Sequence, residues 1–325
     1  MGGALDAVVA TGRNVVRDAL ADLESGARLV IGVSGGADSL ALAAVTSFVA
    51  DRASYGLTAV VVDHGLQDGS DQIASRAIEQ LATLGVDGRV VRVEVGRDGG
   101  PEAAARTARL SALADASAEL GADAVLLAHT LDDQAETVLL GLGRGSGPRS
   151  ISGTAPRDGL WRRPFLTMRR SDTERICRAH DLEWWADPHN SDPAYRRSRV
   201  RAEVMPVLED VLGGGVAEAL ARTADQVRAD SRLLDRIASD VDEPHDVPTL
   251  AGLPGPIRSR VLRRIALAAG ARPAELTATH LAELDRLVTD WHGQQRVELP
   301  GGVCATRTST KEGASLMFAA TPVGG

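Results

Sequence analysis

The hexapeptide SGGADS, Ser34 to Ser39, follows an apolar run and precedes a helix-forming one. Two glycines at such a junction let the chain take positive φ values, reverse sharply and expose consecutive backbone N–H groups at a helix start. The result is an anion cradle, since the helix dipole adds its positive end to those donors. Ser34 and Ser39 contribute hydroxyls, and Ser34, Gly35, Gly36, Ala37, Asp38 and Ser39 together form a candidate phosphate-binding turn. Asp38 is the odd member, because a carboxylate repels phosphate unless a divalent cation lies between them. Asp38 therefore calls for Mg²⁺. The turn also lacks the lysine of the loop G-x-x-x-x-G-K-[ST], which holds the terminal phosphates during γ-phosphoryl transfer. A cradle without it suits a reaction in which pyrophosphate is held as a unit and leaves while AMP goes to an acceptor. A plain capped turn uses the same residue types, but the position between a buried strand and a helix favours the phosphate reading.

Further along, the octapeptide HTLDDQAE runs from His129 to Glu136. Asp133 and Glu136 stand three apart, so a helix places them on one face. Such carboxylates can hold a substrate ammonium, bind Mg²⁺, or deprotonate an amine, which is no nucleophile until it loses its proton. Asp132 joins them at the helix start, and three acidic residues exceed what the helix dipole rewards. His129, at the end of an apolar run, is placed to contact a nucleotide or base. Asp63 and His64 end another such run, where a parallel sheet would receive adenosine. Arg106 and Arg109 lie one helical turn apart and can clamp phosphate or the flank of a base.

These clusters need elements to bring them together. Strand candidates are 27–33, 57–63, 88–95 and 123–129, each short, rich in Val or Leu and continuous, as strands covered on both faces are. Helix candidates over 39–52, 71–84 and 101–120 alternate with them. That order predicts an α/β fold with a doubly wound parallel sheet, whose ligands sit beyond the carboxyl ends of the strands. SGGADS, DHGLQDGS and HTLDDQAE all fall at such ends. After Gly141 a Gly/Ser/Pro/Arg stretch reads as a long loop. Helical stretches return at 168–180 and 196–212, and LGGGVAE, Leu212 to Glu218, reads as a hinge or domain boundary. The expected domains are thus 1–212, catalytic, and 213–325, smaller and mainly helical, closing with a hairpin whose turn is Pro300-Gly301-Gly302.

Composition sets the outer limits. The chain has 325 residues, 44% of them hydrophobic, and a net charge of −8. No run is long enough to span a bilayer and no leader-like start is present, so a cytoplasmic protein with no membrane partner is expected. Overall acidity argues against nucleic acid, yet between Arg144 and Arg201 thirteen Arg face seven acidic residues, leaving room for a local basic patch. Lys311 is the single lysine, so a catalytic lysine is not expected. Cys177 and Cys304 are far apart and outside any C-x-x-C pattern, which offers neither a disulfide framework nor a zinc knuckle.

SGGADS resembles the PP-loop of the N-type ATP pyrophosphatases. VDHGLQDGS (Val62 to Ser70), EAAARTARL (Glu102 to Leu110), AHTLDDQAETVLLGLGRGSG (Ala128 to Gly147), RRPFL (Arg162 to Leu166) and ADPHNSDPAYRRSRVR (Ala186 to Arg201) narrow the resemblance to the tRNA(Ile)-lysidine synthetase family, across most of 28–205. The chain departs from that pattern at Gln67, Ser150 and Ser198. The resemblance implies ATP and Mg²⁺ as cofactors, and free L-lysine and an isoleucine tRNA with the anticodon CAU as partners. It implies that ATP adenylates the wobble cytidine with release of pyrophosphate, that the lysine amine then displaces AMP, and that the enzyme is a homodimer. Carried onto this chain, it makes Asp133 and Glu136 the lysine-binding and activating pair. It groups Asp38, Arg109 and Arg201 with them as catalytic, and makes Arg106, Arg109, Arg144, Arg199 and Arg201 RNA contacts. It makes Asp63, His64 and His129 nucleotide contacts. The C-terminal domain becomes a tRNA-binding one, with 258–270 a candidate basic helix. Two other readings stand beside it. One is an amide synthetase of the NAD synthetase type, which would not need the Arg-rich second half; the other is a nucleotide-binding sensor, which would not need the acidic cluster.

Overall fold

A computed structural model describes residues 6–65, 69–96, 101–145, 147–187, 192, 194–242, 245–273, 275–293, 296–310 and 313–321. Two compact units emerge, one of residues 1–140 and 154–221, the other of 141–153 and 222–325. The division falls at 221/222 rather than at the expected 212/213, and residues 141–153 group with the second unit.

The first unit is built on strands β1 (Arg28–Val33), β2 (Gly56–Asp63), β3 (Asp87–Arg92), β4 (Ala124–Leu126), β5 (Arg157–Asp158) and β6 (Trp161–Arg162). Their order is β3-β2-β1-β4-β6-β5, parallel throughout except for β5, which pairs antiparallel with β6. The chain winds outward from β1 to β3, then crosses back to lay β4 on the other side of β1. Between β1 and β4 the winding reverses, which opens a crevice at the carboxyl ends of those two strands. The expected doubly wound sheet is present, with a short hairpin that the sequence reading did not foresee.

Helices cover both faces. One hydrophobic core gathers residues of α1 (Ala7–Ala19), α2 (Ala37–Ala53), α3 (Ser70–Thr83) and α7 (Arg170–Ala179) against Leu29, Ile31, Ala59 and Leu126. On the opposite face Leu113 and Ala116 of α4 (Pro101–Leu120) pack on Val30, Val60 and Val125. Inward residues alternate between the two cores along β1, which is why its sequence is continuously apolar. Helix α5 (Leu131–Arg144) starts just past β4, and its Leu131 and Ala135 pack with Ala217 and Ala221 near the start of α10 (Val216–Ser239).

The Gly/Ser/Pro/Arg stretch is not the long loop expected. It continues α5 to Arg144, forms the short helix α6 (Pro148–Ile151), and leads into the β5–β6 hairpin. Gly141 is required there, since a Cβ would lie 1.9 Å from the carbonyl oxygen of Ser150. The predicted helix 196–212 exists as α8 (Arg196–Arg199), a π-helical turn (Val200–Val204) and α9 (Met205–Val211).

In the second unit α11 (Val247–Gly252), α12 (Gly255–Ala268) and α13 (Ala278–Thr289) surround a core of Leu250, Leu262, Leu284 and Leu287. An antiparallel sheet β7-β8-β9 (Val297–Leu299, Val303–Thr310, Gly313–Ala320) completes it, with the expected hairpin at Pro300–Gly302 extended by a third strand. Three of the four arginines of α12 serve this packing: Arg258 pairs with Asp285, Arg260 with Asp235, and Arg264 donates to the carbonyls of Ala238 and Val241. Cys177 and Cys304 are buried and unbridged. Among the described residues no helix is long and apolar enough to cross a membrane.

Candidate active site

The phosphate turn forms where β1 ends. Gly35 has φ +79°, the left-handed conformation that glycine adopts at no cost, and its carbonyl accepts from the Trp185 N–H at 2.9 Å. Gly36 departs from expectation: its φ of −80° and ψ of 162° are extended, so only one of the two glycines supplies a positive φ. Helix α2 starts at Ala37, two residues earlier than predicted, and no side chain caps its first N–H groups. Those donors remain for a ligand. Ser39 locks the turn from inside, donating to the Gly36 carbonyl at 2.9 Å and accepting from the Ser34 N–H at 3.1 Å.

Across the switch point, α5 begins with a capping box. The Thr130 N–H donates to Asp133 Oδ2 at 2.9 Å while the Asp133 N–H approaches Thr130 Oγ1 at 3.3 Å. This fixes Asp133 so that Oδ1 points at Arg170 Nη2, 3.2 Å away, with Arg201 Nη2 at 3.7 Å. Burial would raise the Asp133 carboxyl, but Arg170, the Thr130 N–H, His129 and Arg197 outweigh it and hold it below the usual carboxylate range. One turn on, Glu136 is 1% exposed. Arg201 grips it with both arms, Nε to Oε1 at 2.6 Å and Nη2 to Oε2 at 3.1 Å. Arg197 Nε lies 3.2 Å from Oε2 and its Nη2 donates to Thr137. Burial nonetheless raises the Glu136 carboxyl, with Arg201 and Arg197 opposing and Asp133 adding to it.

The phosphate turn and the acidic pair are joined by one residue that sequence reasoning missed. Arg170, at the first position of α7, reaches Asp38 Oδ2 with Nε at 3.4 Å and Asp133 with Nη2, and its N–H donates to Asp132 at 2.8 Å. Thr173, one turn further, donates to Asp38 Oδ1. Burial raises the Asp38 carboxyl, partly offset by Arg170 and Thr173. Four carboxylates hold the Arg170 guanidinium above its ordinary value against the lowering effect of burial. The only sequence signal was its place a few residues after RRPFL.

A second group lies at the same edge of the sheet and is cationic. Burial pushes His129 down to about 3, with Asp133 opposing and Arg106, Arg109 and Arg163 adding to it, so the ring is neutral at physiological pH. Arg109 is itself pushed down to about 10 by burial, helped by Arg106. His64 is lowered by burial and by Arg109. The buried atoms His64 Nδ1, Arg109 Nε, His129 Nδ1 and Arg163 Nε have no hydrogen-bond partner among the described residues. Unsatisfied donors among positive charges suit an anion or an acceptor-rich base edge. Arg163, from the RRPFL segment, is a further member that the sequence reading did not single out.

Three further expected residues are placed as follows. Asp63 is buried, accepts from the Gly65 N–H at 2.9 Å and pairs with Arg92 at 3.3 Å, which ties down the segment after β2. Arg199 is exposed and pairs with Glu203, four residues on, at 2.8 Å. Arg144 is exposed in the last turn of α5, in the part of that helix that groups with the second unit. Of the departures from the family pattern, Ser198 is buried and Gln67 lies outside the described residues, as do 188–191 and 193 of the Arg-rich motif.

Sheet order, switch point and phosphate turn define a PP-loop nucleotide-binding protein. Comparison with known proteins agrees. Residues 11–208 match the family model described as a PP-loop domain, and residues 246–309 match a TilS substrate binding domain. The curated tRNA(Ile)-lysidine synthase of Thermobifida fusca is 52% identical over 301 residues, 90% of this chain and 93% of that protein. Those of Streptomyces coelicolor and Salinispora tropica are 50% and 47% identical, covering 86% and 94% of this chain and 82% and 95% of theirs. The chain belongs to the tRNA(Ile)-lysidine synthase family. Among solved structures, the U34-tRNA thiolase NcsA from Methanococcus maripaludis shares the fold, with a TM-score of 0.58 at 18% identity over 68% of this chain and 79% of that one.

Proposed function

We infer that this chain is an ATP-using ligase that joins free L-lysine to the wobble cytidine of an isoleucine tRNA bearing CAU, giving lysidine. The observation that carries the reading is the meeting, at one switch point, of a lysine-free phosphate turn with the Asp133–Glu136 pair, in a chain about half identical to curated synthases over most of its length. The base carbonyl oxygen attacks the α-phosphorus, forming an O–P bond as pyrophosphate departs. The lysine amine, having given up a proton, then attacks the ring carbon and AMP leaves with the oxygen.

Each group of side chains has a task in this sequence. The α2 N–H groups, Ser34 and Ser39 bind the polyphosphate. Asp38, a partly exposed carboxylate in the first turn of α2 beside the phosphate turn, is the oxygen donor that would hold Mg²⁺ together with substrate phosphates. When bound there, Mg²⁺ supplies positive charge to the departing pyrophosphate. Asp133 and Glu136 receive the lysine ammonium, with Arg201 giving up one side of Glu136 as the amine arrives. The raised Glu136 carboxyl is the better proton acceptor of the two. Neutral His129 with Arg106, Arg109 and Arg163 accepts the cytidine and its flanking phosphate. The second unit, with Arg144 of 141–153, holds further tRNA. A tRNA substrate sets the reaction in the cytoplasm, and the enzyme acts as a homodimer, which sedimentation would read directly. The NAD synthetase type of reaction has less support, since it leaves the TilS substrate binding match without a task.

The test is pyrophosphate release from ATP and Mg²⁺ with and without an unmodified CAU isoleucine tRNA transcript, and with and without labelled lysine. Release that requires the tRNA, with label entering RNA, is expected. Release indifferent to RNA would overturn the reading in favour of an amide synthetase.

A further inference from the structure

The phosphate turn carries no cation of its own, yet a leaving pyrophosphate develops charge that a fixed cation stabilises. With Lys311 the only lysine in the chain, that cation is an arginine. The arginines around the site differ in how firmly they are held. Arg201 lies 2.6 Å from Glu136, and Arg169 makes three hydrogen bonds of 2.5 to 2.9 Å to Glu218. Arg170 has no side-chain contact as short as these, its nearest carboxylates being Asp133 at 3.2 Å and Asp38 at 3.4 Å. Its side chain is 27% exposed. Asp38 is the second residue of α2, so the guanidinium stands one carboxylate away from the free N–H groups of the turn.

We propose that Arg170 is the displaced cation of the phosphate turn: it contacts the β- and γ-phosphates of the bound nucleotide, and Asp38 and Asp133 hold it in position until the nucleotide arrives. The assignment rests on the ATP reading given above. It explains why a turn without lysine can hold a triphosphate, and why a helix from beyond β6 must pack its first residue beside α2. Arginine suits the task, since its planar fork can bridge two phosphate oxygens while remaining charged. When Mg²⁺ is bound at Asp38 the carboxylate has a new partner, and the guanidinium is free to turn toward the phosphates. A purely structural bridge between α7 and α2 would affect all nucleotides alike.

The discriminating measurement is equilibrium binding of ATP and of AMP, with Mg²⁺ and without RNA, to the full chain and to Arg170→Gln and Arg170→Lys, with thermal unfolding recorded for each. Loss of charge-assisted contacts to the outer phosphates should weaken ATP binding about ten- to a hundredfold in Arg170→Gln and leave AMP binding within about twofold. Arg170→Lys should recover part of the ATP affinity. Equal losses for ATP and AMP, or retained ATP affinity in Arg170→Gln, would overturn the proposal, and should Arg170→Gln fail to fold, the ATP-to-AMP ratio of Arg170→Lys against the parent decides. A parent chain that binds neither nucleotide would instead defeat the ATP reading, and this assignment with it.

Discussion

Single side chains in this site carry charges that their surroundings set. His129 sits among Arg106, Arg109 and Arg163 in a buried spot that holds its ring down at about 3, whereas an unfolded chain leaves it near 6.5. Because the folded value is the lower one, the unfolded state takes up the proton first as pH falls. The stability associated with neutral His129 is therefore complete above about pH 6.5 and is lost progressively toward pH 3. Between pH 6.5 and 5 the loss from this residue should reach about 2 kcal/mol. Urea unfolding of the parent and of His129→Gln at pH 7.5, 6.5 and 5 measures it. The gap between the two should move in the parent's disfavour on acidification; parallel curves would mean that His129 titrates as an ordinary surface histidine.

At the scale of elements, the start of α2 separates two glycines that look equivalent in sequence. Gly35 occupies the left-handed region, so Gly35→Ala should cost about 1 kcal/mol of stability whatever it does to binding. Gly36 is extended, a conformation alanine accepts, and the nearest atom to an added Cβ is Ser34 Oγ at 3.6 Å. Gly36→Ala should therefore leave the unfolding midpoint almost unchanged while its methyl group crowds the phosphate cradle. Calorimetric ATP titration together with thermal melts checks this pair. A strongly destabilised Gly36→Ala that still bound ATP normally would contradict the geometry. The same scale explains α5, whose capping box points Asp133 at Arg170, and the π-turn 200–204, which carries Arg201 to Glu136. Irregular turns of this kind persist where a side chain must be aimed.

For the whole molecule, a net charge of −8 coexists with an Arg-rich stretch that the site uses in part and buries in part. Arg169, Arg170, Arg197 and Arg201 face carboxylates of the first unit, and Arg258, Arg260 and Arg264 are engaged inside the second. With these seven arginines taken up by carboxylates and carbonyls inside the protein and the net charge negative, tRNA binding should have a shallow salt slope. Few phosphate contacts release few counterions, at somewhat under one unit of log–log slope per contact. Filter binding of the CAU transcript from about 50 to 300 mM salt would read it. A steep slope of about ten, as for proteins that coat their nucleic acid with basic side chains, would show that many more arginines than these meet phosphate.

Much of this was legible in the residues alone. Continuous apolar strands alternating with helices define a doubly wound sheet by local rules of burial and connection, and the placement of SGGADS and HTLDDQAE at strand ends follows from the same rules. Glycine, serine and aspartate in a strand-to-helix turn state their chemistry without a fold, because the donors belong to the backbone of the motif itself. What the linear order could not supply is which charge faces which. Arg170 and Asp38 are distant in the chain and meet only because α7 packs beside α2, and Glu136 is gripped by Arg201 only because α5 and the 196–212 helix converge. Burial works in the same way: the neutral state of His129 and the raised carboxyls of Asp38 and Glu136 come from the neighbours that the tertiary fold crowds around them, since electrostatic interaction depends on distance and local dielectric and not on sequence separation.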